Sequence, residues 1–471
     1  MTKPETHPDY DALWHLVALG ILTPDHAPNG WQVAPDAPRP TRVAVIDTSV
    51  AADHPNLRPA INRDLALDLF STRLGAFPYR DATAKIGALD LNAGTPVVDG
   101  LPRASELLAE MVDRLSHDGT AWLDGIQPMT GADFSSHGTA ICGLVGARPA
   151  IARAADGYPS PVPGHDNVPL PYAGVDPHCE IVPISTNYNP DPEQLILALL
   201  YAELIDADVV LIPRTISDPN RTVPELNRMI GDHALRDLVA PTAITPAELE
   251  MWEELATLLV QVSHQRPIVC AAGNSNEEHG IYPANLASEH NGIISVGAVN
   301  AKGVGSSYSD TRHVTLCGPS DDGETYDRGE IRLDPHRADQ TLPAHASAAS
   351  NEKFSAFDII STDVPGIYGY AGGPFLGDEP EIGLREFGSY FCRFGGTSAA
   401  SAIVAGVLSL ARSTGRLSPD ADGIEAKSFL LTLGVKVSRA GQEITVPAWN
   451  GELSFPDSPA PAETPKATAP A

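Results

Sequence analysis

From Thr41 onward, short apolar runs alternate with longer amphipathic segments, and this alternation restricts the chain to an α/β architecture with a parallel sheet and crossover helices. Candidate strands are Arg42–Ile46, Glu180–Ile184, Val209–Ile212, Pro267–Cys270 and Ile293–Val296. Candidate helices are His137–Val145, Pro192–Ile205, Pro246–Gln265 and Ser398–Ala411. Residues 1–40 form an N-terminal extension, with one short amphipathic candidate helix around Tyr10 to Leu22 and a Pro-rich connection. The main domain is read as 41–440. The remainder, 441–471, is a tail ending in PDSPAPAETPKATAPA, which has too little apolar surface to order itself. Stretches near 148–172 and 320–350 are rich in Pro, Asp and Ala and read as surface insertions.

Composition narrows the function classes. With 42 % apolar and 19 % charged residues the chain is ordinary globular material. Its 60 acidic against 31 basic residues, a net charge of −29, repel phosphate backbones and argue against nucleic-acid binding. Acidic loops of this kind suit calcium, but there is no EF-hand spacing, so no metal ligand is named and no cofactor is expected. The five cysteines, Cys142, Cys179, Cys270, Cys317 and Cys392, include no CxxC pair and are expected as free, buried thiols. The first residues do not read as a signal peptide, and no apolar run approaches the roughly 20 residues that span a bilayer. A cytoplasmic protein with no membrane partner is the expectation.

Four polar residues stand at the ends of these elements. Ser398, in FGGTSAASAIVAGVLSLA, follows two glycines and a threonine at the start of a small-residue helix. Its backbone N–H belongs to the donors that a helix N-terminus leaves unpaired, and such a donor can receive an oxyanion. His137, in DFSSHGTAICGLVGA, opens another helix of small and apolar residues after two serines able to cap it. Asp47 ends a strand in RVAVIDTSV, at the edge where open α/β sheets place their sites. Asn274 follows the strand in IVCAAGNSN, and its amide can donate to a developing oxyanion. Taken singly, each has an ordinary structural reading: a helix cap for Ser398, a core histidine for His137, an Asx-turn for Asp47 and a turn residue after Gly273 for Asn274.

Taken together they run Asp, His, Asn, Ser along one α/β pattern, and chain order separates the serine hydrolase folds. An α/β-hydrolase places its histidine after the nucleophile, and no histidine follows Ser398. A dinucleotide site is excluded because no GxGxxG follows the first strand. From roughly Thr41 to Leu433 the sequence resembles the subtilase family. VAVIDTSV is similar to its aspartate motif, SSHGTAICGLV to its histidine motif, AAGN to its oxyanion motif and FGGTSAASAIVAG to its serine motif. YAGVDPHCEIVPI, IYPAN, IISVGAVN and IISTDVPGIYGY agree in the same order.

The resemblance implies a subtilisin-like three-layer fold, with a mostly parallel central sheet between helices. It also implies a serine endopeptidase whose partner is a protein or peptide substrate. Asp47, His137 and Ser398 would form the triad, and Asn274 would share the oxyanion with the Ser398 N–H.

Departures from the family pattern are local. Ser49 stands for a glycine, Ala140 for a second histidine and Ala402 for a proline. Where the family has Ser-Leu-Gly along the substrate, this chain has Pro213, Arg214 and Thr215, which with Gly273 are the expected substrate-binding residues. The opposite substrate segment, glycine-rich in the family, reads Asn187-Tyr188-Asn189-Pro190. Arg214 is expected either to meet a polar or acidic group of the substrate or to pair with a carboxylate of the chain, such as Asp218. A narrowly specific protease follows from this reading. The competing one is a subtilase-fold protein, weak or inactive, that binds a peptide or partner in the same cleft. Roughly 40 residues before Asp47 are too few for the long pro-domain of secreted members, and suffice for a short blocking segment.

Overall fold

The computed structural model describes residues 12–34, 39–78, 98–116, 132–156, 166–187, 189–216, 246–275, 280–306, 308–321, 325–327, 330–332, 358–365, 369–370 and 390–456. At its centre is a seven-stranded parallel sheet. In chain order its strands are β1 (Arg42–Asp47), β2 (Leu67–Asp68), β5 (Glu180–Ser185), β6 (Val209–Ile212), β7 (Ile268–Ala271), β8 (Ile293–Val299) and β9 (Leu316–Pro319). In space they run β2-β5-β1-β6-β7-β8-β9. The expected strands are all present, displaced by three residues at most.

The strand interiors are largely apolar because they are covered on both faces. Along β1, Val43 and Val45 point into one core with Ile141, Leu144 and Val404, while Ala44 and Ile46 point into the other with Leu197 and Leu259. Each such fully buried side chain contributes about 1.5–3 kcal/mol. The first core is closed by α3 (Ala132–Gly146) and α6 (Gly396–Ser413), and the second by α2 (Pro102–Ser116), α4 (Pro192–Leu204) and α5 (Pro246–Gln265). This is the expected three-layer arrangement. Helix α2 was not expected, although Ala104, Leu107, Leu108, Met111 and Leu115 carry the helical spacing of its buried stripe.

The termini belong to the first core. A five-residue helix α1 (Trp14–Ala18) stands where a longer one, Tyr10 to Leu22, is expected, and Gly20 (φ +72°) follows it. Trp14, Leu16 and Ile21 are buried in the core that holds α6. Ala34 N–H donates to Ser413 O and Trp449 N–H to Leu19 O. Ala34 therefore lies at the carboxyl end of α6, about 22 Å along the helix from Ser398 at 1.5 Å per residue, whereas Trp14 Nε1 donates to Asp358 O beside β12. Residues 14–22 pack into the first core. At the other end, α7 (Gly423–Thr432) leads into a hairpin of β14 (Gly434–Arg439) and β15 (Gln442–Pro447). The expected boundary at 440/441 falls in the turn of that hairpin. Ile444 and Val446 are buried in the core, so the ordered domain continues past it.

Of the expected insertions, 148–172 contains a hairpin of β3 (Ala150–Arg153) and β4 (Asn167–Leu170) with Leu170 and Tyr172 buried. In 320–350 the chain forms a hairpin of β10 (Thr325–Asp327) and β11 (Glu330–Arg332), the rest lying outside the described residues, as does the tail beyond 456. One further pair, β12 (Ile359–Thr362) and β13 (Phe391–Phe394), runs directly into α6. No helix among the described residues is long and apolar enough to cross a membrane.

Candidate active site

The carboxyl edge of the sheet brings Asp47 and His137 together. Asp47 is the last residue of β1 and is fully buried. Its Oδ1 accepts from the Thr48 N–H at 2.7 Å, and its Oδ2 lies 2.7 Å from His137 Nδ1. With Nδ1–H donated to a carboxylate, the neutral ring keeps its Nε2 lone pair for another proton. Burial by itself would raise the Asp47 carboxyl. The neighbouring His137, the Arg214 charge and the Thr48 N–H outweigh that and hold it below the ordinary carboxylate range.

His137 does not open its helix as expected. Helix α3 begins at Ala132, so Ser135 and Ser136 lie inside it and not before it. What places the ring is the following glycine. A Cβ on Gly138 would stand 2.7 Å from both Ser49 O and Thr48 O, backbone on each side, so only glycine lets α3 approach the loop after β1 this closely. Gly138 N–H donates to Thr48 Oγ1 at 3.2 Å and Ala51 N–H to Thr139 Oγ1 at 2.9 Å, tying the two motifs together. Ser49, Ala140 and Ala402 are buried, and Ser49 lies outside the left-handed region, so no glycine is needed there. The His137 ring, 20 % exposed, meets Phe394 edge-on at 5.3 Å, with Tyr370 stacked beyond.

Ser398 is the third residue of α6, half-buried in its first turn. The N-cap, Gly395, has no side chain to close that turn, so first-turn N–H groups remain for other partners. Asn274 supplies one. Its Oδ1 accepts from Thr397 N–H at 2.8 Å and from Thr397 Oγ1 at 3.0 Å. A backbone N–H can only donate, so the atom facing it is the carbonyl oxygen and the amide nitrogen is turned the other way. Thr397 Oγ1 also accepts from Gly273 N–H at 3.0 Å. A Cβ on Gly396 (φ +74°) would come within 2.8 Å of Asn274 Nδ2, so glycine is required there too. The segment leading into Ser398 touches both: Phe394, the last residue of β13, lies against the His137 imidazole, and Thr397 bonds Asn274. Among the described residues no hydrogen bond joins Ser398 to His137; such contacts are often long without substrate.

The expected substrate residues divide. Thr215 is exposed, and Ile216 N–H holds the segment to Tyr282 O at 3.3 Å. Pro213 is buried, and Gly273 commits its N–H to Thr397, leaving its carbonyl as the group a bound chain can use. Arg214 turns inward: it is 9 % exposed, with Nη1 3.7 Å from Asp47 Oδ1 and 3.5 Å from Thr186 Oγ1. Among the described residues the carboxylate it meets is Asp47; Asp218 and Tyr188 lie outside the described residues. Residue-by-residue reading missed the bracketing role of Thr397 and the supporting role of Phe394. Their signal was their place, immediately before Ser398 and at the end of the strand leading to it.

A model of the subtilase family matches residues 39–432. No curated protein sequence matches the chain. Among solved structures, a serine protease of Aeromonas sobria matches 86 % of this chain at 14 % identity and TM-score 0.44. The chain covers 55 % of that protein, so it spans about half its length. The nisin leader peptidase of Lactococcus lactis matches 94 % of this chain and 93 % of its own, at 14 % identity and TM-score 0.48. The epidermin leader peptide processing serine protease of Staphylococcus aureus matches 93 % of this chain and 78 % of its own, at 15 % identity and TM-score 0.48.

Proposed function

Since the chain belongs to the subtilase family of serine proteases, we propose that it hydrolyses peptide bonds through Asp47, His137 and Ser398, with an oxyanion hole at Asn274. The observation that carries this reading is the 2.7 Å bond from His137 Nδ1 to a fully buried carboxylate, because it leaves Nε2 as the proton acceptor on the open side of the ring. A serine hydroxyl is a weak nucleophile, so His137 Nε2 removes its proton as Oγ bonds to the scissile carbonyl carbon. Asp47 orients the ring and stabilises the imidazolium. The carbonyl oxygen, now anionic, receives the Ser398 N–H and the Asn274 amide; losing one such donor typically costs about 100- to 1000-fold in turnover. Collapse of the intermediate breaks the C–N bond, and the leaving amine takes the proton from His137. Water, deprotonated by the same imidazole, then releases the acyl group from Ser398.

Narrow specificity belongs to the same reading. Pro213 offers no N–H to a substrate chain, and the segment opposite carries Asn187 and Pro190 where the family is glycine-rich. A cytoplasmic setting is part of it too, supported by five buried cysteines that form no disulfide. The rival reading, peptide binding without cleavage, draws on the changed substrate edge and on the lack, among the described residues, of a hydrogen bond between Ser398 and His137. One experiment separates them. Wild type should take a fluorophosphonate label and cut few sites in a peptide library, and Ser398→Ala should do neither. Peptide capture by an unlabelled wild type would establish the rival.

A further inference from the structure

Arg214 sits where a substrate contact is expected, yet it faces the catalytic carboxylate. Strand β6 pairs with β1 in parallel register, Val45 opposite Leu211, so the chain leaving β6 passes the end of β1 at the level of Asp47. The Arg214 guanidinium then turns under the sheet edge, against Oδ1 of Asp47 and the hydroxyl of Thr186. Thr186 is itself fixed, since its N–H donates to Asp47 O at 2.8 Å. A buried guanidinium loses several kcal/mol of hydration unless a charge and hydrogen bonds replace it. Among the described residues a replacing charge is Asp47, approached at the oxygen His137 does not use.

We infer that Arg214 is a positioning residue of the catalytic pair: its buried guanidinium keeps the Asp47 carboxylate ionised with Oδ2 toward His137, and thereby sets the pH range in which the pair works. The inference rests on the triad proposed above. The reasoning is electrostatic. A cation beside Oδ1 favours the charged carboxylate and opposes a second positive charge on the adjoining imidazole. The direction found for Asp47, below the ordinary carboxylate range with Arg214 among its causes, agrees.

Among the described residues, the other groups around Asp47 carry no charge that substitutes for Arg214. From α3 come the His137 imidazole and the Cys142 thiol, which burial keeps neutral. From β5 and the residue after it come the Ser185 and Thr186 hydroxyls. Asp68 stands one strand further out, bound by Ser71 and by the N–H groups of Phe70 and Ser71.

The test compares wild type with Arg214→Gln and Arg214→Lys across the acid limb of kcat/KM, using one peptide with acidic residues and one without. Arg214→Gln should lower kcat about tenfold on both peptides, as a loosened catalytic geometry does. It should move the acid limb to higher pH and leave KM unchanged. Arg214→Lys, which keeps the charge but not the planar fork, should hold the limb near its wild-type position. A purely structural role would lower kcat without moving the limb, and would overturn the inference. So would a rise in KM confined to the acidic peptide, which is the signature of a substrate contact. If Arg214→Gln does not fold, Arg214→Met, similar in reach and uncharged, reads the same limb. Fluorophosphonate labelling of wild type is run alongside. Absence of label means the protease reading has failed, whereas label with an unmoved limb means only the role of Arg214 has.

Discussion

Thr397 offers the most specific check on how the proposed oxyanion site is held. Its hydroxyl donates to Asn274 Oδ1 at 3.0 Å and accepts from Gly273 N–H at 3.0 Å, and the residue is 1 % exposed. Thr397→Val keeps the shape and removes both bonds. Gly273 N–H is then buried without an acceptor, which costs about 1–3 kcal/mol of stability. Asn274 keeps its bond from Thr397 N–H at 2.8 Å, so the amide loses one of two restraints. One net hydrogen bond is worth about 1 kcal/mol. If that restraint sets how often Nδ2 faces the oxyanion, kcat falls about fivefold. The ceiling is complete loss of the donor, about 100- to 1000-fold, which Asn274→Ala should approach. KM should not change, because the donor acts on charge present only in the transition state. Thr397→Ser restores the hydroxyl and should recover both stability and kcat. In an Asn274→Ala background, Thr397→Val should lower kcat no further, since its effect passes through that amide. The assay is steady-state peptide cleavage with thermal unfolding on the same preparations. Full kcat in Thr397→Val, beside a hundredfold loss in Asn274→Ala, would refute the bracket.

Two further predictions concern stability and redox state. His54 is buried, with Nε2 2.8 Å from Tyr390 O and Nδ1 accepting from Asn56 N–H, and burial pushes its imidazole down to about 4 against that bond. An unfolded histidine takes its proton near pH ~6.5, so stability is full above that value and is lost as pH falls toward 4, by about 3 kcal/mol in all. Denaturant midpoints measured across this window should slope in wild type and flatten in His54→Gln; equal slopes would remove His54 as the cause. The five buried thiols should all titrate as free under denaturing, non-reducing conditions, and a count of three or one would sink the cytoplasmic proposal.

Much of the molecule was legible in the chain. Apolar runs of four to six residues are unambiguous when strands are covered on both faces, which is why β1, β5, β6, β7 and β8 read directly from sequence. The order of Asp47, His137, Asn274 and Ser398 is a property of the chain itself, and so are the glycines beside them. Boundaries were less legible. Helix α3 starts five residues before His137 because tertiary packing, not the Ser135–Ser136 pair, decides where it begins. The hairpin 434–447 follows a pattern too short to stand out, and its strands become stable only by packing on the core.

Contacts between distant segments were decided by the tertiary structure alone. No local pattern tells that Thr397 brackets Asn274, since 123 positions separate them. Nor does sequence choose the partner of Arg214. A long, flexible, always-charged side chain can reach solvent, substrate or any of 60 carboxyl groups. The parallel register of β6 on β1, with burial that makes an unpaired charge costly, selects Asp47. Residue types and their order are local and survive in the unfolded chain. Which buried charges and hydrogen bonds answer one another depends on the register of strands that meet only on folding.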